Sequence, residues 1–331
     1  MREFAYVRPT GPEEAVRLRL DGTEVRYLAG GTNLVDLMKL GVEQPRLVVD
    51  LGRMPFGDVT PTPDGGLRIG ALVSNADLAA NPRVRAAYPL LCQALLSGAS
   101  GQLRNRATTA GNLLQRTRCL YFQDVTKPCN KRRPGSGCPA REGVHRDLAV
   151  LGASEHCIAT HPSDLAVALA AVDAAVELLG PDGPRTLPVT DLHRLPGDRP
   201  HEEHRLLPGE LITAVTLPPP VPDAASAYRK VRDRASFAFA LASAAGVLAV
   251  RAGRVTHVTL ALGGLAPKPW RARVAEQRLT GAVADEAAFT AAVEGELSAA
   301  RPLRDNAYKI PLARNLTVRL LCDLAARGES R

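Results

Sequence analysis

At 331 residues and 45% apolar composition the chain can fill more than one hydrophobic core, which predicts two or three domains; its longest apolar runs, such as LAVALAAVDAAVELLG, carry acidic residues and fall short of the roughly 18 to 20 residues that cross a bilayer. The opening MREFAYVRPTGPEE has no apolar stretch followed by a small-residue cleavage site, so no secretory signal peptide is read on this chain. The net charge of +8 is concentrated between Arg116 and Arg146, where eight Lys/Arg face only Asp124 and Glu142; with only Tyr121 and Phe122 there to stack on bases, and no helix-turn-helix or RNA-recognition signature, nucleic acid is not the expected partner.

The chain begins with short strands and short helices in alternation. EVRYLAGG reads as a strand ending in a Gly turn, and TNLVDLMKLG as a helix with Thr32 or Asn33 at its N-cap and Gly41 as its stop. RLVVDLG and GLRIGALVS are two further strands. PRVRAAYPLLCQALLS, residues 82–97, presents a helical apolar face that carries Cys92. Beyond a cysteine-rich stretch, THPSDLAVALAAVDA predicts a helix capped by Ser163, and AAVELLGPDGPRTLPV a hairpin turning at Pro-Asp-Gly. LPPPVPDAAS marks a domain boundary near residues 217–226. After it, FALASAAGVLAVRAGRVTHVTLALGG predicts two long strands about an Ala-Gly-Arg turn, and DEAAFTAAVEGELSAA and LARNLTVRLLCDLAARG predict helices. There is no internal repeat and no low-complexity tract.

Two loops of small residues carry the first functional signal. In LAGGTNL, Gly30 and Gly31 let a backbone approach an anion, and the N–H groups at the start of the next helix, with the Thr32 hydroxyl, suit phosphate oxygens. In SGASGQLRNRATTAGNLLQ, Thr108, Gly111 and Asn112 offer a hydroxyl, an accessible backbone and an amide. Two such loops can clasp a pyrophosphate from both sides. Neither G-x-G-x-x-G nor G-x-x-x-x-G-K-[ST] occurs, which disfavours the common nucleotide folds.

AGGTNLVDLMKLG, IGALVSNADL, LRNRATTAGNLL and SDLAVALAAVDA resemble, in the same order, motifs of the FAD-binding medium subunits of molybdenum hydroxylases, which include carbon monoxide dehydrogenases, xanthine dehydrogenases and aldehyde oxidoreductases. The resemblance covers nearly the whole chain. It implies an α+β fold: a two-lobed FAD-binding domain of the vanillyl-alcohol-oxidase-like (PCMH) type over residues 1–220, with lobes of about 1–55 and 56–220, then a C-terminal α+β domain over 221–331 with antiparallel sheet and helices. It implies that Ala29, Gly30, Gly31, Thr32, Asn33 and Leu34 line the FAD pyrophosphate and that Thr108, Gly111 and Asn112 form the second phosphate loop. It further implies Asp164 near the ribose and Lys230 near the isoalloxazine, where a cation stabilises reduced, anionic flavin. Read without the family, Asp164 is equally a first-turn acid favoured by the helix dipole, and a strand lysine such as Lys230 is ordinarily solvated. The family's second loop reads Thr-x-Gly-Gly-Asn; Ala110 replaces the first of those glycines here, which questions any need for positive φ at that position.

Six cysteines stand at 92, 119, 129, 138, 157 and 322. Cys92 and Cys322 fall on apolar helix faces, as small buried hydrophobes do. The other four form C-x9-C-x8-C-x18-C in a segment rich in Gly, Pro and Asn. Disulfides suit poorly a chain of this size without a signal peptide. Zinc sites usually show one pair of cysteines two to four residues apart, and none occurs here. An iron–sulfur cluster tolerates wide spacing, and the loop's positive surplus would offset its negative charge. CLYF, KPCNKRRPGSGCPA and HCIATHPSD are similar to the subset of the family that carries a cysteine insertion, the flavoprotein subunits of bacterial, periplasmic-type aldehyde oxidoreductases. That resemblance implies Cys119, Cys129, Cys138 and Cys157 as ligands of a [4Fe–4S] cluster within an insertion over residues 115–160. His156 and His161 flank the last ligand but are not expected to bind metal with four cysteines at hand. PHEEHR, with His201 and His204, is not H-E-x-x-H and reads as a solvent-exposed polar loop.

The function implied is that of an FAD and [4Fe–4S] electron-transfer subunit of a heterotrimeric molybdenum hydroxylase, an aldehyde oxidoreductase or dehydrogenase. A large molybdopterin subunit would oxidise the substrate, a small subunit would carry [2Fe–2S] clusters, and this chain would pass electrons from FAD to an acceptor. No catalytic nucleophile or acid–base pair is therefore assigned here. The alternatives are the flavoprotein of another xanthine dehydrogenase-family hydroxylase, a stand-alone flavin oxidoreductase, and a non-catalytic binding module stapled by a four-cysteine zinc site. The expected compartment is the cytoplasm, or the periplasm as part of a complex exported by a partner's signal.

Overall fold

The computed structural model describes residues 1–20 and 24–328, which form three sheets flanked by helices. Strands β1 (Ala5–Val7), β2 (Val25–Leu28) and β3 (Leu47–Asp50) make a parallel sheet in the order β1-β3-β2. Parallel strands need a crossover, and the helix Leu34–Lys39 supplies the one between β2 and β3. Gly41, with φ of +74°, stops that helix as expected.

Strands β4 (Val59–Pro61), β5 (Leu67–Gly70), β6 (Ala175–Gly180), β7 (Gly183–Pro188) and β8 (Leu211–Leu217) form an antiparallel sheet ordered β4-β5-β8-β6-β7. The chain between β5 and β6 carries the second small-residue loop and the four clustered cysteines. Strands β9 (Ala225–Val231), β10 (Ala242–Arg251), β11 (Arg254–Gly263) and β12 (Trp270–Arg271) form a third, antiparallel sheet ordered β12-β11-β10-β9. Helices Arg273–Leu279, Glu286–Leu297 and Lys309–Gly328 accompany this last sheet. The mixture of helices with largely antiparallel sheets agrees with the expected fold class. No described helix is long and apolar enough to cross a membrane.

Three sequence expectations change. Residues 82–97 form two helices, Pro82–Ala87 and Pro89–Ser97, because Pro89 disfavours helical geometry at Tyr88, which adopts φ −134° and ψ 59°. The strand read in GLRIGALVS ends at Gly70; Val73 and Ser74 turn instead to the second loop, through Thr109 N–H to the Val73 carbonyl at 3.0 Å and a bridge between Ser74 and Thr108. Cys322 is half-buried at the margin of the C-terminal core, whereas Cys92 is buried as expected.

The helix Asp164–Ala171 explains how the parts are joined. All eight of its residues are buried, and Ser163 caps it, its hydroxyl accepting the Ala166 N–H at 2.9 Å. A helix apolar on every side must be covered on every side. This one packs against Pro89–Ser97 on one flank and against β10 and β11 on the other. The Thr259 hydroxyl, on β11, donates to its Ala171 carbonyl at 2.5 Å. Leu169, fully buried at its centre, is the residue whose truncation tests this role. Leu169→Ala should lower unfolding free energy by about 2–5 kcal/mol in urea denaturation.

Candidate cofactor and metal site

The two small-residue loops lie in contact. A Cβ on Gly30 would sit 1.8 Å from the Arg106 carbonyl oxygen and 3.2 Å from Ala107 Cα, so the missing side chain admits the second loop itself. Gly31 takes the left-handed conformation at φ +78°. Ala29 and Leu34 flank this turn, both partly buried. The backbone N–H groups of Thr32 and Asn33 have no acceptor among the described residues. Asn33 stands at the N-cap position without capping. Its Oδ1 accepts the Arg116 N–H at 2.9 Å instead, and its Nδ2 is buried with no partner among the described residues.

In the second loop the Thr108 hydroxyl accepts the Gly111 N–H at 3.3 Å and starts the one-turn helix Thr109–Leu113. A Cβ on Gly111 would approach that hydroxyl to 2.9 Å. Ala110 lies within the helix and has no positive φ, so alanine is accommodated there. Asn112 Oδ1 accepts from the Ser163 hydroxyl at 2.5 Å and from Gln115 Nε2 at 3.0 Å. Unpaired N–H donors in a cradle too tight for a Cβ suit the phosphates of a dinucleotide.

Asp164 and Lys230 meet each other. Lys230 Nζ lies 2.7 Å from Asp164 Oδ2 and donates to the Ser97 carbonyl at 3.1 Å; the Tyr228 hydroxyl donates to Asp164 Oδ1 at 2.5 Å. Only 2% of the Lys230 side chain is exposed, which overturns the solvated reading. Burial, reinforced by the Asp164 charge, holds the Tyr228 hydroxyl well above the usual phenol range. The pair sits where the first helix turn of Asp164–Ala171 reaches β9, at the seam between the N-terminal part of the chain and the C-terminal sheet.

Cys119, Cys129, Cys138 and Cys157 are unpaired and line one hollow. Asn130, next to Cys129, holds its rim together: its Oδ1 accepts Gly137 N–H at 2.7 Å beside Cys138, and its Nδ2 donates to the His156 carbonyl at 3.0 Å beside Cys157. Gly135 and Gly137, at φ +80° and +102°, make the tight return between Cys129 and Cys138. Arg132 closes the other side, donating to the carbonyls of Tyr121, Phe122 and Asp124 at 2.6–2.9 Å and to that of Lys127.

The sulfurs receive backbone N–H groups: Tyr121 and Phe122 at Cys119, Ala140, Ile158 and Arg141 at Cys138, and Ala159 at Cys157. Burial pushes the Cys119 thiol up to about 11 and raises those of Cys138 and Cys157, so ligation at neutral pH must displace protons. Among the described residues, no three His, Cys, Asp or Glu side chains converge on a single ion. Four thiols around one hollow are the number and kind of donors that an iron–sulfur cluster takes.

Part of the positive surplus of this segment is neutralised from outside it. Arg116 pairs with Glu43 and Glu203, each at 2.5 Å, and its guanidinium lies 4.5 Å from the centre of the Phe122 ring. Glu43 also pairs with Arg26 at 2.8 Å, and Glu203 with Lys131 at 2.8 Å. Arg141 pairs with Glu155 and Arg146 with Asp233, both at 2.8 Å. Of the eight Lys/Arg, Lys131 is the one that lines the hollow.

Glu203 corrects the reading of PHEEHR as a solvent-exposed loop: His201 and His204 are exposed, but this carboxylate is turned inward. Burial opposes its charge, yet Lys131 and Arg116 outweigh that and bring it down to about 2. His161, read in the sequence only as a neighbour of the last cysteine, and His193, which carried no sequence signal, lie with ring centres 4.2 Å apart and planes tilted by 58°, and the Nε2 of each faces the Leu113 carbonyl. Burial depresses both imidazoles, His193 to about 4, so both are neutral at pH 7.

Residues 2–220 match the family described as the FAD binding domain in molybdopterin dehydrogenase, and residues 226–324 match the CO dehydrogenase flavoprotein C-terminal domain. The chain is 50% identical over 330 residues to the aldehyde oxidoreductase FAD-binding subunit PaoB of Escherichia coli, covering 99% of this chain and 100% of that one. It is 28% identical over 323 residues to the carbon monoxide dehydrogenase medium chain of Hydrogenophaga pseudoflava, covering 96% of each. A solved carbon monoxide dehydrogenase from Hydrogenophaga pseudoflava superposes with a TM-score of 0.78 and 26% identity over 98% of both chains.

Because Gly30 has no room for a side chain against Arg106, Gly30→Val should reduce FAD affinity at least about tenfold, read by flavin fluorescence titration. Glu203 supplies a pH signature. A carboxylate brought from 4.5 to about 2 contributes on the order of 3 kcal/mol of stability above pH 4.5, lost as pH falls towards 2. Chemical denaturation should therefore show Glu203→Gln destabilised at pH 7, with its difference from the native chain vanishing near pH 2.

Proposed function

The chain belongs to the FAD-binding medium subunits of the molybdenum hydroxylase family, and on that premise we propose that it is the FAD and [4Fe–4S] electron-transfer subunit of an aldehyde oxidoreductase. The observation that carries the cluster assignment is the convergence of four unpaired thiols on one hollow, with backbone N–H groups at the sulfurs of Cys119, Cys138 and Cys157. The choice of aldehyde rests on half-identity, end to end, with a chain bearing that name.

When bound, FAD and the cluster supply the redox chemistry, with the flavin able to exchange two electrons and the cluster one. The chain's own residues bind and tune. Ala29, Gly30, Gly31, Thr32, Asn33 and Leu34 hold one side of the pyrophosphate, and Thr108, Gly111 and Asn112 hold the other. Lys230 contributes a buried positive charge whose position Asp164 and the Ser97 carbonyl fix. Cys119, Cys129, Cys138 and Cys157 would hold the cluster, while N–H donors at the sulfurs of Cys119, Cys138 and Cys157 and the Lys131 ammonium favour its more reduced state. Substrate oxidation falls to a large molybdopterin subunit and relay to a small [2Fe–2S] subunit, so this chain needs no nucleophile of its own.

Anaerobic purification of the native complex should give about four iron atoms per FAD on this chain. Cys129→Ser should lose that iron and the cluster's absorption while retaining FAD. A native complex with flavin but no iron beyond the partners' [2Fe–2S] centres, or iron unchanged in Cys129→Ser, would overturn the cluster assignment.

A further inference from the structure

The cofactor loop and the cysteine hollow are joined at one carbonyl. The helix Thr109–Leu113 is a single turn, too short to persist on its own hydrogen bonds, and its last carbonyls find no partner inside it. Leu113 is fully buried. Its carbonyl faces His193 Nε2 at 2.8 Å and His161 Nε2 at 3.3 Å. A carbonyl oxygen has two lone pairs and no proton, so each nitrogen must donate, and both rings carry their proton on Nε2. The Ser163 N–H, which points to His161 Nδ1 at 3.4 Å, requires the same tautomer.

Each ring is borne by a segment anchored at the hollow. His161 lies four residues beyond Cys157, on a stretch pinned by Ala149 N–H to the Ile158 carbonyl at 2.8 Å and by His161 N–H to the Ala266 carbonyl at 3.0 Å. That stretch runs on into Ser163, whose hydroxyl grips Asn112 in the cofactor loop. His193 is bridged to His204, and Arg194 N–H donates to the Glu203 carbonyl at 3.0 Å, beside the carboxylate that pairs with Arg116 and Lys131.

We propose that His161 and His193 are positioning residues for FAD, two neutral imidazoles that hold the second cofactor loop by its Leu113 carbonyl and couple it to the four-cysteine cage, so that loading the cage tightens FAD binding. The inference rests on the cage proposed above. Tying Cys157 to the other three thiols restrains the stretch that carries His161, so less ordering of the loop is left for FAD to accomplish. By linkage, bound FAD strengthens the hold on iron by the same factor.

The test measures FAD dissociation constants on the full chain, iron-loaded and after anaerobic chelation, with iron assayed in every sample. Stripping the native chain should weaken FAD binding about tenfold, within the usual range of allosteric coupling. His161→Leu should already bind FAD about that much more weakly when loaded and lose less than about twofold further on stripping. His161→Gln, whose amide nitrogen can take the place of Nε2, should retain the native coupling. If native chain gives up its iron with FAD affinity unchanged, or if His161→Leu and His161→Gln behave alike, the coupling is refuted while the cage stands. If the native chain holds no iron, the cage and the coupling fall together. Stripping requires no substitution, so misfolding of a variant cannot imitate the result.

Discussion

The ion pairs of Arg116 are the constraint on which the arrangement of this chain depends. One guanidinium reaches Glu43 behind the first loop and Glu203 in the segment after β7, while its backbone N–H binds Asn33 within the first loop. Three stretches far apart in sequence are thereby fixed at the entrance to the cysteine segment. Taking such charges out of water is expensive, and removing one partner of a buried pair typically costs about 3–5 kcal/mol because the other is left uncompensated. The return is specificity of position. With two carboxylates and three cations (Arg26, Arg116 and Lys131) linked in series, the cofactor cleft and the sulfur-lined hollow are held at a set separation.

That linkage also changes what the basic character of the segment means. Along the sequence, eight cations beside four cysteines suggested a field directed at the sulfurs. In three dimensions Glu43, Glu203 and Asp233, all from outside the segment, neutralise part of it, and Arg132 is occupied by backbone carbonyls. Lys131 is left against the hollow, and Glu203 balances it. At Cys119 and Cys138 the favourable influence on the sulfur is then a local backbone N–H, whereas at Cys157 the Lys131 charge outweighs the Ala159 N–H.

What could be read in the sequence was what local chemistry dictates. Strands, the Ser163 cap, the stop at Gly41 and the hairpin after Leu179 follow from periodicity and turn residues within a few positions of one another. The grouping of four cysteines apart from Cys92 and Cys322 followed as well, while the α+β class came from the family resemblance. Hidden were the features that depend on pairing across long separations. Glu203 meets Arg116 across 87 positions, and His193 meets Leu113 across 80, so neither had a neighbour in sequence to reveal it. Gly30 was legible as necessary, but for a ligand; only the neighbouring Arg106 carbonyl shows that another loop occupies the space. Pro89 was visible throughout, yet the apolar face it interrupts read as continuous.

The Pro-rich break near residues 217–226 divides the chain in sequence, but the helix Asp164–Ala171 makes that division one-sided. Its first residue holds Lys230 and Tyr228 of β9, and its last is held by Thr259 of β11. A chimera that exchanged the C-terminal domain for that of a distant relative at the linker would strand half of this helix's contacts. Modular transplantation would have to carry the helix, or the whole face that receives it, along with the graft.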